Sequence, residues 1–325
     1  MGTVCGFILC ANDVQAKLWG YDAEQLGQMN RARENVRFLP GYKLPDAMEL
    51  AAVDRQRQLT AKGRDIAQLP VDPRIGAMLV EAQQKRCLRE MLIIASALSV
   101  QDPRERPVDK KQAADEKHKQ WADERSDFVS YLKLWEQFES QRQALSQNAL
   151  RKFCSQNFLS WQRMREWRDI HHQLRLACKD RQWKENIEAL DVTALTPGEY
   201  ANLHQALLVG CLSNIALRQD KREYLGCRQR KLQIFPGSPQ ARKSPRWIMG
   251  SSLIETSQLY AHGVAMIEPQ WVLPLAKHLL QRDYFEPFWD EARGMPMVYE
   301  KISLYGLVLV ERQKKFYGDI DREQG

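Results

Sequence analysis

REYLGCRQRKLQIFPGSPQARKSPRWIMGSSLIETSQLYA, residues 222–261, sets the character of the C-terminal third of the chain. Short apolar or alternating runs are separated there by Gly, Pro and Ser, which is how strands and turns are punctuated. The same texture resumes in MPMVYEKISLYGLVLVERQKKFYG, residues 295–318, and WVLPLAKHLL (271–280) between them suits a short helix. Several short strands with one helix in about 105 residues fit a small barrel better than an open parallel sheet.

Upstream of Arg218 the pattern is helical. EYANLHQALLVGCLSNIA (199–216) reads as an amphipathic helix running to near Arg218. In RKFCSQNFLSWQRMREWRDIHHQLRLACK (151–179), Trp161, Met164, Trp167, His171, Leu174 and Cys178 form one stripe at spacings of three and four. Arg165, Arg168, His172, Arg175 and Lys179 form a second, basic stripe about 100° round the same helix. Ser126 can cap a helix whose inward residues are Phe128, Leu132, Trp135 and Phe138. Further back, Asp72 and Pro73 open a helix whose apolar residues Met78, Leu79, Ala82, Leu88, Met91, Leu92 and Ala95 recur through to LIIASAL. That last segment is apolar nearly all round, as in a helix buried between others. QDPRERPVD (101–109) then forms a loop, and residues 1–40 show no assignable periodicity.

The 325 residues are 44% apolar and 27% charged, with no run of eighteen apolar residues. A transmembrane helix is therefore not expected. MGTVCGFILCAND lacks a basic leader and its apolar run is short, so export is not expected either. Seven scattered Cys without a C-x-x-C pair suit a reduced, cytoplasmic protein. The net charge of +7 leans toward a polyanionic partner.

Most catalytic chemistries find no support. Asp115-Glu116-Lys117-His118 fits D-E-x-H, but DKKQAA precedes it where a nucleotide site needs a buried strand. An exposed helical turn is expected there, and G-x-x-x-x-G-K-[ST] occurs nowhere. Adjacent His171 and His172 point apart on a helix and cannot share a metal ion; no G-x-S-x-G is present.

Nucleic acid has the stronger case. Between Arg218 and Trp247 lie nine Lys/Arg against Asp220 and Glu223, interleaved with Tyr224, Phe235 and Trp247. Cations that follow phosphates, beside aromatics free to stack, are what a single-strand platform needs. Equally, Phe235 and Trp247 could be barrel core; the strand-like IMGSSLIET after Trp247 favours core for that residue and surface for Lys243 and Arg246.

Taken together, LTAKGRDIAQLPVDPRIGAMLVEAQ (59–83), CLREMLIIASALSVQDPRERP (87–107), ADEKHKQWADERSDFVSYLKLW (114–135), NFLSWQRMREWRDIHHQL (157–174) and HQALLVGCLSNIA (204–216) resemble a known family. With residues 222–261 and KISLYGLVLVERQKKFYGDID (301–321), they look like the C-terminal part of DEAH-box RNA helicases of the bacterial HrpA type. The resemblance implies an α+β, multi-domain chain, mainly an α-helical ratchet bundle followed by a small OB-like β-barrel. Residues 41–72 would be the remnant of a winged helix, 73–218 the ratchet (helicase-associated) domain and 219–325 the OB-fold, with 1–40 unassigned. The RecA-like ATPase domains, with their Walker loops and arginine finger, are absent, so a fragment, inactive alone, is expected. ATP and Mg would be bound by those missing domains, leaving no cofactor for this chain. Single-stranded RNA is the implied partner, with a RecA-like ATPase half as a second; no membrane is implied. RNA contacts would fall to Arg165, Arg168, Arg175, Arg228, Lys231, Lys243 and Arg246. The competing readings are a helical protein-interaction scaffold with a basic surface and a non-functional remnant.

Overall fold

The computed structural model describes residues 61–186 and 188–320, together with the backbone of four short strands nearer the N-terminus. These are β1 (Ala16–Leu18), β2 (Glu34–Asn35), β3 (Leu39–Lys43) and β4 (Met48–Leu50). β1 pairs with β4 in parallel and β2 with β3 antiparallel. The unassigned segment 1–40 and residues 41–60, expected from the resemblance to belong to a winged-helix remnant, otherwise lie outside the described residues.

The helical half begins with α1 (Ala61–Ala67), α2 (Pro73–Gln84) and α3 (Leu88–Leu98). Asp72 caps α2 as its sequence suggests, its carboxylate accepting from the Arg74 N–H at 2.9 Å. The apolar spacing through Ala95 predicts one helix here, and the structure contains two. Arg86 adopts a left-handed φ of 57°, and the Cys87 N–H closes onto the Ala82 carbonyl at 3.0 Å, ending α2. Neither Gly nor Pro marks the break, and the burial period continues across it. α3 is buried nearly all round, as expected.

Next come α4 (Lys111–His118), α5 (Asp127–Ala144), α6 (Gln147–Gln156), α7 (Trp161–Asp180) and α8 (Pro197–Val209). The DEKH letters sit on α4, a helix and not a strand. Ser126 caps α5, accepting from the N–H groups of Phe128 and Val129 at 3.1 and 3.3 Å. Phe128, Leu132, Trp135 and Phe138 are buried, and so are Met164, Trp167, Leu174 and Cys178 of the α7 stripe. Trp167 ties α7 to α3, donating to the Ile93 carbonyl at 2.9 Å. The basic stripe of α7 lies on its open side, with Arg165, His172, Arg175 and Lys179 exposed.

α8 opens with a Thr196/Glu199 capping box and ends at Val209, short of the extent read from sequence. Ile215–Arg218 is instead β5, the first barrel strand. Its apolar residues continue the helical count but are buried against a sheet. β5 joins β6 (Tyr224–Gly226), β7 (Lys231–Ile234), β8 (Trp247–Glu255) and β9 (Leu259–Met266) in a closed barrel of order β5-β6-β7-β9-β8. Within the barrel, β7 and β9 pair in parallel and the other neighbours antiparallel. This 1-2-3-5-4 closure is that of an OB-fold. The remaining strands, β10 (Leu280–Asp290), β11 (Met295–Leu304) and β12 (Leu307–Phe316), form a separate three-stranded antiparallel sheet and do not extend the barrel. No helix among the described residues is long and apolar enough to cross a membrane.

Candidate nucleic-acid interface

The α5 N-terminus fixes the helical half to the barrel. Asp127, its first residue, is buried and accepts from the Val264 N–H of β9 at 2.8 Å and from the Ser238 hydroxyl at 2.9 Å. Burial pushes its carboxyl above the usual range, against the pull of those two donors. The Met266 N–H donates to the Arg125 carbonyl at 2.8 Å, beside a bridge between Ser126 and Ala265. Tyr200 of α8 places its hydroxyl 2.9 Å from the Met266 carbonyl. His204, one turn on, has Nδ1 2.7 Å from the Tyr200 carbonyl and Nε2 2.7 Å from Ser126 Oγ. A carbonyl can only accept, so Nδ1 carries the proton and Nε2 accepts from the serine. Burial pushes His204 down to about 4, keeping it neutral.

Along this seam run two adjoining cavities of about 290 and 380 Å³, which share Arg104, Arg106 and the Gly237–Ser238–Pro239 turn. Arg104 makes a two-pronged contact with Asp102, its closest approach 2.7 Å. Burial alone would raise the Asp102 carboxyl, but Arg104, as charge and as donor, holds it below the usual range. Arg106 pairs with Asp115 at 2.7 Å and donates to the Gly237 carbonyl at 3.2 Å. Lys119 and Lys243 pair with Glu116 and Glu124. Arg242 is exposed, with no side-chain partner among the described residues. Asp123 and Asp127 are the remaining carboxylates on the groove walls and offset Arg242. The groove is thus close to neutral and offers hydrogen-bonding and stacking surfaces more than long-range attraction.

The stacking surface is Phe235. It is 36% exposed and lies parallel to His262, with ring centroids 4.3 Å apart. Both rings line the groove. His262 precedes Gly263, which sits opposite Ser251 at a left-handed φ of +57°, and a Cβ there would meet Ser251 Oγ at 2.3 Å. Tyr224, 1% exposed, lies in the barrel core, and Trp247, 8% exposed, is buried in the core that the barrel shares with the helical half, so Phe235 alone of the three interleaved aromatics is available to a ligand.

The seven cations assigned from sequence do not converge. Lys243 lines the seam groove, and Arg246 is exposed nearby in sequence without a side-chain partner among the described residues. Lys231 is held by Glu223 at 2.8 Å, and Arg228, at φ 59°, lies over the Tyr305 ring. Arg165, Arg168 and Arg175 share the open side of α7, with Arg168 bonded to Glu139 at 2.8 Å and Arg175 to Glu185. Arg106, Arg242 and His262 join the groove without having been singled out. Only Arg242 carried a signal, being one residue from Lys243 in the same basic loop.

Comparison with known proteins agrees with this division. Residues 72–160 match the family described as helicase associated domain (HA2), ratchet-like, and residues 203–279 match the oligonucleotide/oligosaccharide-binding (OB)-fold family. Residues 1–94 match the NAD-dependent glycerol-3-phosphate dehydrogenase N-terminus. The parallel β1–β4 pair suits such an α/β segment, but the dinucleotide fingerprint G-x-G-x-x-G is nowhere in the sequence. From residue 72 to 94 this match overlaps α2 and α3, which pack in the helical bundle. The chain is 45% identical to the ATP-dependent RNA helicase HrpA of Escherichia coli (strain K12), over 86% of its own length and 21% of that protein. It is equally similar, at 45%, to the HrpA homolog of Haemophilus influenzae, over 82% of this chain and 20% of that one. Identity to the human probable ATP-dependent RNA helicase DHX35 is 28%, covering 75% of this chain and 34% of that protein. The chain thus spans about a fifth of the length of the two HrpA proteins.

Proposed function

We propose, from the premise that this chain is over most of its length a C-terminal region of an HrpA-type DEAH-box helicase, that it holds single-stranded RNA as an accessory to an ATPase half. The observation that carries this reading is the exposed Phe235–His262 pair in the groove between ratchet and barrel. A base can continue that stack, while Arg242 on the groove wall meets a flanking phosphate. Paired bases are shielded by their neighbours, so the stack selects single strands over duplex. ATP and Mg belong to the ATPase half.

The test is fluorescence anisotropy with a labelled single-stranded oligoribonucleotide and with the matching duplex, at two salt concentrations. The single strand should bind more tightly, and Phe235→Ala should weaken it by about 1–3 kcal/mol. Arg242→Ala should flatten the log–log salt dependence by roughly 0.7. Equal affinity of wild type and both variants would remove the groove from the RNA path. No RNA affinity even at low salt would favour a protein-interaction scaffold.

A further inference from the structure

A second cluster of cations on the helical half lies away from the seam. Where the end of α5, the start of α6 and the first turns of α7 meet, a cavity of about 430 Å³ is lined by Arg142, Arg151, Arg165 and Arg168. Leu145 and Leu150 form its apolar floor, and Trp161 stands at its side. No carboxylate lines it. The one that reaches its cations, Glu139, accepts from Arg142 at 2.9 Å and from Arg168 at 2.8 Å. Among the described residues Arg151 has only the Trp161 ring as a side-chain partner, 5.6 Å from its guanidinium carbon. Arg165 is exposed, with no side-chain partner among the described residues. Four guanidiniums around one small space, with one carboxylate between them, repel one another until an anion enters.

We infer that this cavity is a binding site for a nucleoside phosphate, with the phosphate among Arg142, Arg165 and Arg168 and the base against Trp161. A phosphate group presents several acceptor oxygens at once, which suits planar guanidinium forks approaching from different helices. The base takes the ring face that Arg151 now covers, and Arg151 swings to the phosphate. The ligand is either a free nucleotide or one unit of a strand. The site shares no lining residue with the seam groove, so either site can fail without the other.

Arg151→Ala/Arg165→Ala is the informative variant, because it leaves the Glu139 pairs intact and removes only exposed groups. Its thermal melt should match wild type. The whole chain is titrated with adenosine 5′-monophosphate, with adenosine, and with a single-stranded oligoribonucleotide; an acidic peptide of similar charge serves as competitor. Binding of the monophosphate but not adenosine, reduced at least about tenfold in the variant, identifies a free nucleotide. Oligonucleotide binding whose log–log salt slope falls by roughly 1.4 in the variant, two cations at about 0.7 each, identifies a strand. In both cases Phe235→Ala should leave this loss unchanged. Arg165→Lys should restore only part of the affinity, since it keeps the charge but not the fork. Unchanged affinity and slope in the double variant overturn the inference. So does an acidic peptide that binds as tightly as the nucleotide and loses its affinity in the same variant.

Discussion

Replacing His204 with Gln tests whether the ratchet–barrel seam depends on a neutral imidazole. His204 is fully buried, and its ring proton is committed to the Tyr200 carbonyl. Its other nitrogen accepts from Ser126, whose oxygen already serves the Phe128 and Val129 N–H groups. A second ring proton would therefore lie against a hydroxyl oxygen that already accepts twice, in a fully buried site. Burial accordingly places the folded-state value at about 4, against 6.5 for an ordinary histidine. Because the folded value is depressed, the unfolded chain takes up the proton first as pH falls. Stability is thus present above about 6.5 and is lost down to about 4. At about 1.36 kcal/mol per unit, wild type should lose about 2.5 kcal/mol through this residue by about pH 4.5. Gln can accept from Ser126 and donate to the carbonyl but does not titrate. The assay is urea unfolding of both proteins at about pH 7.5 and about pH 4.5, read as the difference between them. That difference removes His118, His171 and His262, which are also depressed, and the raised Asp127 and Glu136, which act in the opposite sense. Equal losses in the two proteins would refute the assignment of tautomer and burial at this position.

Trp247→Ala should cost about 3–5 kcal/mol of stability in a thermal melt, as a large residue buried between barrel and helices does, whereas Phe235→Ala should leave the melt almost unchanged and act on RNA affinity. Gly263→Ala should destabilise by about 1–3 kcal/mol, because φ +57° and the close Ser251 hydroxyl leave no room for a methyl group; a melt matching wild type would show that the strand backbone relaxes there. Asp127→Ala strands the Val264 N–H and the Ser238 hydroxyl and should cost about 3 kcal/mol or more, while Asp127→Asn should cost less, which paired denaturant titrations can resolve. Purified chain should not turn over ATP with RNA present, since no G-x-x-x-x-G-K-[ST] occurs; turnover that disappears in Glu116→Gln would reinstate the DEKH segment.

Much of this architecture was written locally. Asp72 and Ser126 announce helix starts because a cap is a contact between residues two or three apart. The α7 stripe and the strand texture after Arg218 report burial at the period of their own element. The core position of Trp247 followed from the strand after it. What is decided only in three dimensions is of another kind. Arg86 breaks a continuous apolar period without Gly or Pro, because a turn there lets α2 and α3 pack into one core, and no local signal marks it. Asp127 meets Ser238 and Val264, 111 and 137 residues away. Lys231 and Lys243 looked as free as Arg246, yet each has a carboxylate beside it, Lys243's from the helical half. Phe235 and Tyr224 are spaced alike among the same cations, but the barrel turns one inward and lays the other on His262. Periodicity records which side of an element is buried; which charges are cancelled, and which ring is left open, depends on partners the chain brings back from far along its length.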